Sequence, residues 1–397
     1  MRTLARIAIA TGVVLGFIAI LLSTPPETIF QIAERRVARV QRHAFAWHPS
    51  MTENKAAKHG ATQAERLSNL ITHFYSDGSQ YSIPKIYQGP KLYKLDDGSP
   101  IPEMARVTCK LLFLAGYAAN QDSGVAVEFG SWVGQSSSCI AAGLRTAGLK
   151  RRLHCYDKYT YTGGNALQGT KWKSWPQESS ILPIFKEIVH RVDPTVVAHR
   201  GDMSEKEVSN ASTWGGGPVG LFAIDSAKSF QEVIDQTAHG IWEHIQVGGV
   251  VVMMDFAKHA NQVLSFYAIF VESGAMKNEY VAFTASPWAF SVQRNISAAD
   301  LKTWPDVLKT REAPYILERA RRQIIKDIKA AGIKQWARED QIQATMDLVL
   351  GETKPVTKCI AAYPPSSSSS AAHSAEGKGE GHPTKTTRKG DRGACFS

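Results

Sequence analysis

The residues best suited to chemistry lie in and just after the run VAVEFGSWVG, from Val125 to Gly134. It reads as a strand bearing Glu128, then a glycine turn holding Ser131, then a helix over Ser136 to Ala147. Gly130 permits a sharp backbone turn, and Gly134 permits close approach of a ligand or of the next helix. The start of that helix offers N–H groups with no intrahelical partner. At the end of a parallel strand this is where a nucleotide-like ligand sits. Trp132 stands where a G-x-G-x-x-G loop needs its middle glycine, which argues against a dinucleotide and for a ligand without phosphates. Four further acids follow at the ends of apolar runs: Asp157, Asp202, Asp225 and Asp255. Glu128 and Asp157 can accept hydrogen bonds from a cofactor's amine and hydroxyls, although acids also cap helices. For Asp202, capping of Met203 to Val208 competes with a ligand contact. Asp225, Lys228, Asp255 and His259 are the candidates for taking a proton from a reacting hydroxyl. Lys228 reads equally well as a solvated helix-start residue, and His259 reads more readily as a surface histidine.

These side chains must be held by the alternation around them. Apolar runs at 125–129, 152–156, 195–199, 219–224 and 248–254 alternate with helix-like segments, which predicts βαβ units and a mostly parallel sheet. Runs at 279–285 and 288–293 predict an antiparallel edge. The expected fold class is α/β and Rossmann-like. The loop from Lys158 to Pro176 carries Tyr159, Tyr161, Trp172 and Trp175, and reads as either an acceptor lid or a tethered surface loop.

Val-Glu-Phe-Gly-x-x-x-Gly-x-Ser resembles the first motif of class I S-adenosylmethionine-dependent methyltransferases, and Leu153 to Asp157 resembles the second, whose acid holds the ribose. Arg200-Gly-Asp202 resembles the loop flanking the adenine. Ile224 to Phe230 and Gly248 to Phe256 resemble the I-D-G-D-H-S-Y and G-G-x-x-x-x-D-Y runs of the macrocin O-methyltransferase-like and related sugar or small-molecule O-methyltransferases. The resemblance spans about residues 103 to 293. It implies S-adenosyl-L-methionine as cofactor, bound by Glu128, Gly130, Ser131, Gly134, Asp157 and Asp202, and a small-molecule or glycan acceptor. Asp225 and Asp255 stand where metal-using relatives hold a divalent cation such as Mg2+. The chain departs from the pattern at Ala227 and Lys228, which replace the acid and histidine of the D-H-S-Y run. Those departures support an alternative reading, a membrane-tethered methyltransferase-like binding protein without catalysis. A nucleotide-sugar enzyme is disfavoured by the absence of a middle glycine and of a D-x-D motif.

Around this core the chain divides into an anchor (1–27), a juxtamembrane stalk and loop (28–102), the methyltransferase-like domain (103–297), a helical extension (298–353) and a disordered tail (354–397). Ile7 to Leu22 is free of charge, and with its neighbours approaches the roughly 20 residues of a span. Its Leu-Leu-Ser-Thr-Pro-Pro end suits a signal-peptidase site poorly, so a single uncleaved anchor is expected. Arg35, Arg36, Arg39 and Arg42 outnumber Arg2 and Arg6, which leans toward a cytoplasmic domain. Asn210-Ala-Ser and Asn295-Ile-Ser would matter only in a secretory lumen. The chain has 397 residues, 46 Lys plus Arg against 36 Asp plus Glu, and five cysteines. The basic excess is scattered and no recognition motif accompanies it, so no nucleic-acid partner is expected. Wide cysteine spacing without C-x-x-C disfavours a zinc site and a disulfide scaffold, and suits a reducing compartment.

Overall fold

The strand-like runs become a seven-stranded sheet in the computed structural model, which describes residues 61–75 and 82–350 apart from 103, 150–152, 228, 257–259, 284–286 and 336. The strands are β1 (Val125–Phe129), β2 (Leu153–Asp157), β3 (Val197–Arg200), β4 (Val219–Ile224), β5 (Ile245–Met253), β6 (Met276–Val281) and β7 (Trp288–Val292). They lie in the order β3-β2-β1-β4-β5-β7-β6. β1 to β5 pair in parallel, whereas β7 runs antiparallel to both β5 and β6. The predicted parallel sheet with an antiparallel edge is thus what forms. The central strands read as unbroken apolar runs because both faces are covered. Ala126 enters one buried cluster, while Val127 and Phe129 enter the other.

Helices α1 (Gln63–Tyr75), α2 (Arg106–Tyr117), α3 (Gln135–Thr146) and α4 (Leu182–His190) contribute to the first cluster. The second holds side chains of α5 (Phe230–Thr237), α6 (Ala260–Phe266), α8 (Ala313–Gln335) and α9 (Glu339–Leu350), with α7 (Ala298–Val307) preceding α8.

Three expectations change. The end of the expected stalk is α1, which packs into the domain rather than standing apart from it. Leu67 and Ile71, one turn apart, are fully buried, Gln63 Nε2 donates to the Ala115 carbonyl at 3.0 Å, and Arg66 Nε donates to the Ala118 carbonyl at 2.6 Å. The expected helical extension is helical but belongs to the same core. Ala320, Ile324 and Ile328 form a fully buried i, i+4, i+8 stripe on α8, and burying each isoleucine contributes about 1.5–3 kcal/mol. Its polar face is the solvated one, with Arg319 paired to Glu272 and Arg322 to Glu318, each at 3.0 Å. Finally, Cys109 on α2 and Cys139 on α3 form a disulfide with Cα atoms 5.4 Å apart. Contact between two helices decides cysteine pairing, and linear spacing does not show that contact; Cys109 and Cys139 are a pair where the spacing led to an expectation of thiols.

The loop after β2 is not a lid presenting aromatic faces. Tyr159, Tyr161, Leu167 and Trp172 are buried in the first cluster, and a Thr160–Ser180 bridge closes the loop base. The expected anchor and tail lie outside the described residues. Among the described residues no helix is long and apolar enough to cross a membrane.

Candidate active site

The turn after β1 is built by contacts across three strands. The Gly130 N–H donates to the Tyr156 carbonyl of β2 at 2.8 Å, with Gly130 at φ +85°. A Cβ at this position would lie 2.5 Å from the Ser226 backbone nitrogen, just past β4. Glycine is therefore required by both conformation and space. The turn sits between β2 and β4, where the strand order reverses and the sheet opens a crevice at its carboxyl edge. Gly134, at φ +90°, opens α3, and a Cβ there would come within 2.3 Å of Val189 Cγ2 on α4. Close packing of α4 is thus one of the two uses of this glycine.

Asp157 ties the turn to the loop after β2. Its Oδ2 accepts from the Trp132 N–H at 2.9 Å, and its Oδ1 accepts from the Tyr159 N–H at 2.7 Å. Trp132 and Tyr159 both have left-handed backbones, at φ +43° and +48°, a conformation that costs a non-glycine residue of order 1–3 kcal/mol where it is strained. One carboxylate thus holds two unfavourable backbones in place. Burial raises the Asp157 pKa, and the N–H groups of Tyr159 and Trp132 oppose that rise. Each oxygen keeps capacity for a further donor, so the half-buried carboxylate can still receive a ribose diol.

Glu128 does not line the open crevice. It is fully buried, its Oε2 accepts from the Ser137 hydroxyl and from Cys155 Sγ, and its Oε1 has no hydrogen-bond partner. Burial raises its pKa, with the Ser137 hydroxyl among the groups offsetting it. Ser131 is likewise buried, its hydroxyl 2.8 Å from that of Tyr159. Asp202 forms a turn, accepting from the Ser204 N–H at 3.0 Å and its hydroxyl at 2.8 Å, and pairs with Lys158 Nζ at 2.7 Å. The Lys158 ammonium, helped by Ser204, holds the Asp202 pKa down at about 2. The pair joins the loops after β2 and β3 at the rim.

Asp225 and Asp255 follow β4 and β5 side by side. The Asp225 N–H donates to the Phe129 carbonyl and the Met254 N–H to the Ile224 carbonyl, both at 2.8 Å, which levels the ends of β1, β4 and β5. Asp255 is another non-glycine residue in the left-handed region, at φ +56°. Lys228 and His259 lie outside the described residues. Among the described residues no group of three or more His, Cys, Asp or Glu could hold a metal ion. Magnesium demands near-octahedral oxygen coordination, so two carboxylates alone do not define its site.

The arrangement does fit S-adenosylmethionine. Glu128, fully buried beneath α3, braces the turn through the Ser137 hydroxyl from behind the crevice. Asp157 suits the ribose, and Trp132 of the turn packs against the first core cluster. The sequence places Tyr159 among the loop aromatics and gives Cys155 no part in the site; the contacts of both depend on strand pairing. The only local signal was a tyrosine two residues after a strand-end acid.

Comparison with known proteins agrees. Residues 127–256 match the family model of a methyltransferase domain. No curated protein matches the chain. Among solved structures, the chain is similar to the apo form of CalS11, a TDP-rhamnose 3'-O-methyltransferase of calicheamicin biosynthesis, at 15% identity over 56% of this chain and 93% of that one, with a TM-score of 0.35. It is similar to an SAH-bound methyltransferase of Podospora anserina at 11% identity over 57% and 95%, with a TM-score of 0.34. It is also similar to the mycinamycin-pathway methyltransferase MycE with Mg, SAH and mycinamycin VI, at 11% identity over 44% and 45%, with a TM-score of 0.29. The strand ends, the Gly130 turn and the family match together make residues 127–256 a class I S-adenosylmethionine-dependent methyltransferase domain.

Proposed function

We propose that this domain transfers the methyl group of S-adenosylmethionine to a hydroxyl of a sugar, glycan or other small molecule, from a chain tethered to a membrane by residues 1–27. The observation that carries the cofactor half is the Asp157 carboxylate, fastened to the Trp132 and Tyr159 N–H groups at the mouth of the crevice. The acceptor half rests on the Asp225 and Asp255 strand ends and on the resemblance of the runs around them to sugar and small-molecule O-methyltransferases. When bound, the cofactor supplies an electrophilic methyl on a sulfonium. The chain must align an acceptor oxygen with it and take that oxygen's proton. Asp225 and Asp255 are the described groups at the strand ends able to do so, and Lys228 and His259 lie close in sequence.

The test is transfer of labelled methyl from S-adenosylmethionine by the full-length chain to a panel of saccharides and phenols, beside calorimetric binding of the cofactor. Labelled product from a hydroxyl acceptor, lost in Asp225→Asn or Asp255→Asn, supports the reading. Cofactor binding with no product from any acceptor favours the non-catalytic alternative.

A further inference from the structure

We propose that the Gly60–Ser397 unit matures in an oxidising, non-cytosolic compartment, with Cys109–Cys139 as a structural disulfide and Asn295 as an N-glycan acceptor. Two independent features of the fold carry this. The first is the disulfide. Cys109 and Cys139 are fully buried where α2 lies against α3, the helix opened by the cofactor turn. Disulfides persist in secretory and periplasmic spaces and are rare in the reducing cytosol. Closing the bond removes two electrons and two protons from the two thiols. A protein disulfide donor of the compartment takes them: one thiolate attacks its disulfide, the second displaces the donor's sulfur, and the donor leaves as a dithiol. Because both sulfurs are inaccessible once the helices pack, exchange precedes packing and the finished bond is shielded from reductant.

The second feature is the setting of the two N-x-S triplets. Asn210 is half-buried and committed: its Nδ2 donates to the Lys206 carbonyl at 2.7 Å, and its Oδ1 accepts from the Ser212 N–H at 3.0 Å. Asn295 is exposed, on the turn between β7 and α7, with its neighbour Ile296 buried as an anchor and Ser297 capping α7. The antiparallel register pairs Val250 with Ser291 and Met253 with Trp288. β7 therefore ends at the amino edge of β5, opposite the edge that bears Gly130, Asp157, Asp225 and Asp255. A glycan on Asn295 would project away from the crevice and leave the reaction unobstructed. In the transfer, the Asn295 amide nitrogen bonds to the anomeric carbon of a lipid-linked diphospho-oligosaccharide. The carbon–oxygen bond to the diphosphate breaks, and the amide gives up one proton. This places the domain across the membrane from the side that the arginines after Ile7–Leu22 favour.

The test uses the full-length chain expressed in eukaryotic cells. Membranes are denatured in a thiol-alkylating reagent without reductant, and peptides are identified by mass spectrometry. We expect Cys109 and Cys139 as a linked, unalkylated peptide, with Cys155 alkylated. A peptide N-glycosidase should increase gel mobility, as should Asn295→Gln, whereas Asn210→Gln should leave mobility unchanged. Asn295→Gln retains the Ser297 cap, so the fold is preserved, and its yield in the membrane fraction and its melting temperature report that directly. Alkylated Cys109 and Cys139 in the unreduced sample, or an Asn295 peptide recovered without sugar, overturns the proposal.

Discussion

Replacing Asp157 by alanine separates two roles that this one carboxylate combines. The structure gives it two backbone donors, Trp132 N–H at 2.9 Å and Tyr159 N–H at 2.7 Å. The proposed cofactor complex adds ribose hydroxyls. Losing hydrogen bonds to an ionised acceptor costs about 1.5–3 kcal/mol, or roughly ten- to a hundredfold in affinity for S-adenosylmethionine and S-adenosylhomocysteine. The free protein also suffers, because a donor left unsatisfied in a buried position costs about 1–3 kcal/mol, and here the two donors come from residues in left-handed conformations. The affinity is read by calorimetry on the full-length chain, and the stability by thermal or urea unfolding. Asp157→Asn is the control, since its amide oxygen can still serve one N–H and most of the shape is kept. We expect Ala to lower both quantities, and Asn to recover much of the stability but little of the affinity. Unchanged cofactor affinity in an Asp157→Ala protein that unfolds earlier would refute the ribose role and leave a purely structural acid.

Glu128→Gln should unfold no earlier than the parent at neutral pH, because burial disfavours the charged form that Gln removes. The folded pKa is raised, so the parent should gain stability as pH falls from neutral toward the unfolded value while the variant does not; a large loss of stability in Glu128→Gln would contradict this. Asp202 is the opposite case, its pKa held at about 2 by Lys158. Its contribution is present above the unfolded carboxylate value and lost as pH falls through about 2, and for such a solvated pair Asp202→Asn should cost no more than about 1 kcal/mol in urea titrations. Gly134→Ala should destabilise by about 1–3 kcal/mol through overpacking against Val189 and Phe185, with cofactor affinity falling only as the folded fraction does. Chelation by EDTA should leave cofactor affinity unchanged, because the cofactor is proposed to be held by Asp157 while Asp225 and Asp255 face the acceptor. Loss of transfer that magnesium restores would show that residues outside the described set complete a metal site.

What could be read from the chain was whatever one segment decides alone. The β1, β4 and β5 runs were legible because central strands covered on both faces are largely apolar, and strand-end acids were legible because residue type and position coincide. What depends on a second segment was not legible. Cys109 and Cys139 were read as thiols because only the packing of α2 on α3 brings them together. The stalk reading of α1 failed because its apolar positions 67 and 71 are a narrow stripe, and its polar Gln63 and Arg66 turn out to bond carbonyls at the end of α2. Gly134 offered two uses in sequence, and only the fold shows that α4 takes up one of them. Glu128 and Asp157 look alike as acids near strand ends, yet the alternation of side chains along β1 sends Glu128 beneath α3, while Asp157 ends β2 and reaches the mouth. Glu128 lies level with Cys155, two residues short of Asp157, and that extra reach along the strand makes Asp157, and not Glu128, the residue on which a test of cofactor binding turns.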